Sequence, residues 1–178
     1  MRAVPFGLAL ALWAASVSAA IAAEVAPSPP DSAVTVFYVV RHAEQHPSMI
    51  GKDPPLSDVG KRRAQALARV LADAGIKHVY ATTARRTIET GLPLARQIGD
   101  SVRTIEDTGE LLKQLKAHPP GDRVLVVAHG NTLAEIIKGL TGRDLPPFKS
   151  GDFDMLYVVI VVRNGPTQVL LLRYGEAS

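Results

Sequence analysis

Two kinds of hydrophobic spacing alternate along this chain from Val34 onward. Val34 to Val40 is apolar, β-branched or aromatic at every position except Thr35, the pattern of a strand buried on both faces. A loop ending at Pro54-Pro55 follows. Ser57 is a good helix N-cap, Ala64, Leu67, Leu71 and Ala74 recur at helical spacing, and Gly75 is a ready stop. Ile76 to Thr82 holds a short strand centred on Val79-Tyr80-Ala81. A helix is predicted from about Ala84 to Ile98, kinked or broken at Pro93. Val102 to Ile105 reads as a short edge strand, Gly109 to Ala117 as a short helix and Val124 to Ala128 as a second central strand. Thr132 to Leu140 reads as a helix stopped by Gly142. Met155 to Val162 and Val169 to Arg173 are strands joined through Asn164-Gly165, a hairpin signal whose details Pro166 shifts. Strands alternating with helices predict a layered α/β/α fold with a mostly parallel central sheet and a C-terminal antiparallel hairpin.

The first 33 residues do not belong to that pattern. Arg2 precedes an apolar run from Phe6 to about Ala23, which closes on small residues. This is the charged start, apolar middle and small-residue end of an export signal, with cleavage after Ala22 or Ala23. The alternative is an uncleaved membrane anchor, because the run is close to spanning length. Residues 24–33 (EVAPSPPDSA) form a Pro-rich linker, and residues 34–178 form the domain. The expected location is therefore periplasmic or secreted, with no stable membrane association once the signal is cut.

Composition narrows the chemistry. The chain has 178 residues, room for one domain with its own core. It has no cysteine, which excludes disulfides, thiolate metal sites and a cysteine nucleophile. The formal charge of +3 is too small for a nucleic-acid binder and compatible with small anionic substrates. Lys61, Arg62, Arg63 and Arg69 surround the apolar stripe of the first helix and read as a solvated face.

Three predicted strands run into polar residues of one chemical type. The first ends in Arg41-His42, the second is followed by Arg85-Arg86, and the strand at 124–128 ends in His129-Gly130-Asn131. Ligands of open parallel sheets bind beyond the carboxyl ends of the strands, so these residues should converge there. The set suits a phosphoryl group. Arginine offers a charged planar fork for phosphate oxygens, and neutral imidazole is a nucleophile near neutral pH. A helix starting just after Asn131 would turn its amides toward an anion.

Four segments carry a resemblance. They are Val39-Val40-Arg41-His42-Ala43-Glu44, Pro55-Leu56-Ser57-Asp58-Val59-Gly60, Thr82-Thr83-Ala84-Arg85-Arg86-Thr87-Ile88-Glu89-Thr90 and Val126-Val127-Ala128-His129-Gly130. In this order they resemble the histidine phosphatase superfamily, also called phosphoglycerate mutase-like, over about Val34 to Tyr174. The resemblance implies that His42 is the nucleophile and forms a phosphohistidine, and that Arg41, Arg86 and His129 bind the phosphoryl oxygens; Asn131, from its place at the end of the strand at 124–128, is a further expected substrate contact. The resemblance also implies a metal-independent phosphatase without cofactor, acting on a phosphorylated small molecule or a phosphoprotein. Ala43 stands where the family usually has glycine, which suggests that the position does not need positive φ.

The leaving-group acid stays open. One branch carries an aspartate directly after the second histidine; here Gly130 follows His129. Glu106 lies where another branch places a glutamate, with Asp107 and Glu110 as rivals, and Glu44 is either a further candidate or an orienting residue. Without an acid, substrates with good leaving groups are favoured. Two other functions remain: a non-catalytic anion-binding protein of the same fold, and a mutase-type phosphotransferase, which export disfavours. A metal site at His42 and His46, four residues apart, is weak because Pro47 breaks any helix there and no third ligand is evident. His78 and His118 read as surface residues and are assigned nothing.

Overall fold

The structure is a computed structural model that describes residues 34–47, 53–149 and 151–177. The expected signal and linker, residues 1–33, lie outside the described residues. Ten elements follow in order: β1 (Val34–Arg41), α1 (Asp58–Val70), β2 (His78–Ala81), α2 (Arg85–Gln97), β3 (Val102–Thr104), α3 (Thr108–Lys116), β4 (Arg123–Ala128), α4 (Gly130–Thr141), β5 (Met155–Val162) and β6 (Gln168–Arg173). The six strands form one sheet in the order β3-β2-β4-β1-β5-β6. β1, β4, β2 and β3 pair in parallel, and the β5–β6 hairpin adds antiparallel strands beside β1.

The unbroken apolar runs of β1 and β4 have their reason in the layers. Successive side chains of β4 alternate between two cores. Leu125 and Val127 face α1 and α2 together with Val40, Leu67, Leu71 and Leu94. Val124, Val126 and Ala128 face α3 and α4 together with Phe37, Leu111, Leu115, Leu133 and Ile137. Both faces are covered, as the expected α/β/α layering requires.

Element boundaries differ from the expectation at three informative places. α1 stops at Val70 rather than running on toward Gly75, and residues 71–75 turn back through Gly75 at φ 67°. α2 continues through Pro93 without a break. Proline there removes one backbone hydrogen bond, but Leu94, Ala95, Thr90 and Gly91 around it are packed on the sheet, and that burial outweighs the local loss. α4 begins at Gly130, two residues before the expected start, so His129 occupies the N-cap position and its backbone N–H donates to Thr132 Oγ1 at 2.9 Å.

The parallel order places strand ends beside one another. β1 and β4 are neighbours with Arg41 opposite Ala128, and β4 pairs β2 with Val127 opposite Ala81. The residues after these three strands therefore share one edge of the sheet.

Candidate active site

His42 is held before any substrate arrives. Its backbone N–H donates to Ala128 O at 2.8 Å, which extends the β1–β4 ladder into the loop. Its ring Nδ1 lies 2.8 Å from Ala43 O. A carbonyl only accepts, so Nδ1 carries the proton and Nε2 keeps its lone pair. The ring is 6 % exposed. Burial first, then the charges of Arg86, His129 and Arg41, press its pKa down to about 4, against the opposing pull of the Ala43 hydrogen bond. The imidazole is therefore neutral at physiological pH.

His129 stands edge-on to His42, with ring centroids 5.2 Å apart. Its Nδ1 lies 3.3 Å from Arg86 Nη2 and its Nε2 3.1 Å from Thr82 Oγ1. Arginine only donates, so Nδ1 accepts and Nε2–H donates to Thr82, whose hydroxyl lies 2.9 Å from Thr87 Oγ1. Burial, Arg86 and Arg41 hold the His129 pKa below the usual imidazole value, with Asp53 opposing.

Arg86, from the first turn of α2, also lies 3.7 Å from Asp53 through Nη1, and its Nε is buried without a hydrogen-bond partner among the described residues. That donor is available to an anion. Arg41 donates from Nη1 to Lys149 O at 3.1 Å, and its guanidinium sits 4.4 Å from the centre of the Phe153 ring. Phe153 also lies 5.9 Å from the His42 ring. Arg41, His42, His129, Gly130 and Asn131 line a cavity of about 480 Å³, walled on the far side by the 145–149 segment.

The remaining sequence candidates fall elsewhere. Glu44 does not face the phosphoryl arginines. It binds Arg63 through both carboxylate oxygens, at 2.7 to 3.0 Å, and so orients an arginine outside the site. Arg63 itself corrects the expected solvated face: it is 4 % exposed, and its Nη1 donates to Tyr174 O at 3.2 Å and Glu176 O at 2.8 Å. Asp107 caps α3 by accepting from Glu110 N, and Glu110 pairs with Lys113 and Gln114. Glu106 follows β3 at the same sheet edge and is exposed, with no hydrogen bond or ion pair to the described site residues. His46 is exposed and belongs to no cluster of three potential metal ligands among the described residues.

Sequence reasoning passed over several contributors. Thr90, the last residue of the third segment, accepts from Ala43 N at 3.0 Å and pins the loop after His42. Ala43 is fully buried and lacks positive φ, so its methyl packs where glycine would leave a gap. Glu89 accepts from Leu56 N at 2.7 Å and from Arg85 at 2.7 Å, which ties the β1–α1 loop to α2. Asp53 accepts from Arg85 N at 2.9 Å at the start of α2. Phe153, Lys149 and Asp53 lie in loops without periodicity, and only tertiary closure brings them to the site.

Comparisons with known proteins find similarity in one segment of the sequence and in the fold. The profile of the histidine phosphatase superfamily (branch 1) matches residues 37–111. No curated protein matches the chain. The solved structure of the protein histidine phosphatase SixA complexed with tungstate is similar, with TM-score 0.64 and 16 % identity over 78 % of this chain and 96 % of that one. A mycobacterial glucosyl-3-phosphoglycerate phosphatase gives TM-score 0.62 and 15 % identity over 80 % of this chain and all of that one. At these identities the structures establish a shared fold. The profile match falls on the segments that carry Arg41, His42 and Arg86, and over residues 37–111 this chain is similar to the histidine phosphatase superfamily.

Proposed function

We propose that this protein is a phosphatase that hydrolyses phosphomonoesters or related phosphorylated substrates through a phosphohistidine on His42. The observation that carries the reading is the fixed tautomer of His42: Nδ1–H is committed to Ala43 O, which leaves a neutral Nε2 beside two arginines and a second histidine. Nε2 attacks phosphorus, the bond to the leaving oxygen breaks, and that oxygen departs with the electron pair. Arg41, Arg86 and His129 stabilise charge on the non-bridging oxygens. Entry of a dianionic phosphoryl group favours a proton on His129 Nδ1, which turns it from an acceptor of Arg86 into a donor to the substrate. Water then attacks the phosphohistidine and releases phosphate. The chemistry uses no metal, so turnover persists in a chelator.

The similar proteins act, by their names, on phosphohistidine in protein and on a glucosyl-phosphoglycerate. Either class is compatible with a shallow site whose preceding loop, residues 45–56, is short. Among the described residues no carboxyl group lines the cavity, which favours substrates with good leaving groups, such as aryl or acyl phosphates and phosphoramidates. Glu106 remains the proposed acid, with Asp53, 3.7 Å from Arg86, as its competitor.

We also propose that residues 1–23 are an export signal. Trp13 is the only tryptophan in the chain, so the exported and cleaved protein lacks tryptophan fluorescence; such emission in the purified exported protein refutes cleavage. The activity itself is tested by trapping label from a radiolabelled aryl phosphate with an alkaline denaturing quench, in which phosphohistidine survives. Label bound to wild type and absent from His42→Ala supports the mechanism. Wild-type turnover in His42→Ala refutes it, and phosphate binding without turnover in the native chain points to an anion-binding protein.

A further inference from the structure

The opposite edge of the sheet holds a second histidine cluster that the phosphatase chemistry leaves unused. His78 opens β2, Asp122 immediately precedes β4, and His118 comes just after α3. β2 and β4 are neighbours, with His78 opposite Val124, so the strands begin side by side. The α3–β4 turn then folds His118 over them. Its ring centre lies 5.1 Å from that of His78, and its side chain is as buried as that of Asp122, correcting the expectation that His118 is a surface residue.

We propose that His78, His118 and Asp122 form a binding site for a zinc-class divalent transition metal, remote from the phosphoryl site. Three observations carry this. First, one donor atom from each residue falls within 4.8 Å of the others. His118 Nδ1 lies 2.9 Å and His78 Nε2 3.9 Å from Asp122 Oδ2. Tetrahedral zinc with bonds of about 2.0–2.1 Å spaces its ligands by about 3.3 Å. The observed separations bracket that value, so small side-chain shifts admit an ion.

Second, the far nitrogen of each ring has a partner suited to a metal-bound imidazole. His118 Nε2 lies 3.2 Å from Tyr80 Oη, which accepts its proton once Nδ1 binds the ion. His78 Nδ1 lies 3.9 Å from Asp100 Oδ2. Arg103 Nη1 occupies the intervening position, 2.9 Å from His78 Nδ1 and 2.8 Å from Asp100 Oδ2. Ion binding at His78 Nε2 puts the proton on Nδ1, where Arg103 can no longer donate. That arginine then gives way, and Asp100 takes the Nδ1 proton, the carboxylate–histidine–metal arrangement.

Third, the local charges select by ligand chemistry. Lys77 holds Asp122 through the other oxygen, Oδ1, at 2.9 Å and leaves Oδ2 for an ion. Lys77 and Arg103 offset Asp122 and Asp100, so no surplus of carboxylate attracts calcium or magnesium. Two imidazoles favour zinc, nickel, cobalt or copper instead. A bound ion would add a further tie between the starts of two paired strands and the end of α3.

The test titrates zinc into chelator-stripped full-length protein in phosphate-free buffer near pH 7.5, read by calorimetry and by the thermal midpoint. One zinc per chain and a raised midpoint are expected for wild type, with no response to magnesium or calcium. His78→Ala, at the more exposed ligand and so safest for folding, and Asp122→Asn should each weaken zinc binding by about tenfold or more and lose the midpoint shift. His42→Asn should bind as wild type does. No stoichiometric zinc in wild type, or undiminished binding in His78→Ala, overturns the proposal. So does binding that is lost only in His42→Asn, because it assigns the ion to the phosphoryl cavity.

Discussion

His42 couples acid sensitivity to the state of its ring. In the folded chain its pKa is pressed to about 4, chiefly by burial and then by Arg86, His129 and Arg41. In the unfolded chain an ordinary histidine titrates near 6.5. Between those values the unfolded state binds the proton and the folded state does not, so stability falls as pH falls through the window and stops falling below about 4. With the two values above, the linkage costs almost nothing near pH 7.5 and about 2 kcal/mol at pH 5. The ring is 6 % exposed, so solvent screening does little to reduce this figure. His42→Asn removes the titration and keeps an amide able to donate to Ala43 O. His129 also titrates low, but its causes are burial, Arg86 and Arg41, all retained in the variant. Denaturant unfolding of both proteins at pH 7.5 and pH 5, without phosphate, should show wild type losing about 2 kcal/mol more than His42→Asn. Equal losses refute the claim that burial holds His42 neutral.

Contacts around the site lead to three further outcomes. Glu44→Gln leaves the buried Arg63 guanidinium without its counter-charge and should cost about 3 kcal/mol in denaturant unfolding while leaving the pH–rate profile unchanged; a shifted profile would restore Glu44 as a proton donor. Gly60→Ala drives a Cβ into the Glu44 carbonyl, a backbone atom that cannot rotate away, so a markedly lowered thermal midpoint is expected and an unchanged one refutes the packing. Phe153→Ala removes the ring against Arg41 and His42 and should lower kcat/KM by about fivefold, the worth of one cation–π contact near 1 kcal/mol, in steady-state aryl phosphate hydrolysis. Unchanged kcat/KM would show that Arg41 is oriented without it.

The layers were legible because burial on both faces writes itself as uninterrupted apolar runs, as in β1 and β4. The clustering of Arg41, His42, Arg86 and His129 was legible because parallel strands deliver the residues after them to one edge. The start of α4 was not, because Gly130-Asn131 has poor helix propensity and the turn is stabilised by Thr132 closing on the His129 backbone. Nor was the burial of Arg63. Its position beside Ala64 and Leu67 resembles a solvated flank, and its partners Glu44, Tyr174 and Glu176 are distant in sequence. The pairing of His78 with His118 likewise requires the β2–β4 neighbourhood, which local spacing does not encode.

Arg63 also sets an order of events during synthesis. It grips Glu44, two residues past His42, with one side of its guanidinium and the Tyr174 and Glu176 carbonyls with the other. More than a hundred residues separate Arg63 from those carbonyls. A nascent chain can build β1, α1 and even β4, with Arg63 already on Glu44, while the far side of the guanidinium still waits for its two carbonyls, which come only with the final strand and its tail. Full satisfaction of this buried guanidinium is thus a property of the finished polypeptide, and a chain emerging end-first through a narrow exit would leave Arg63 half-paired until its last turn is free.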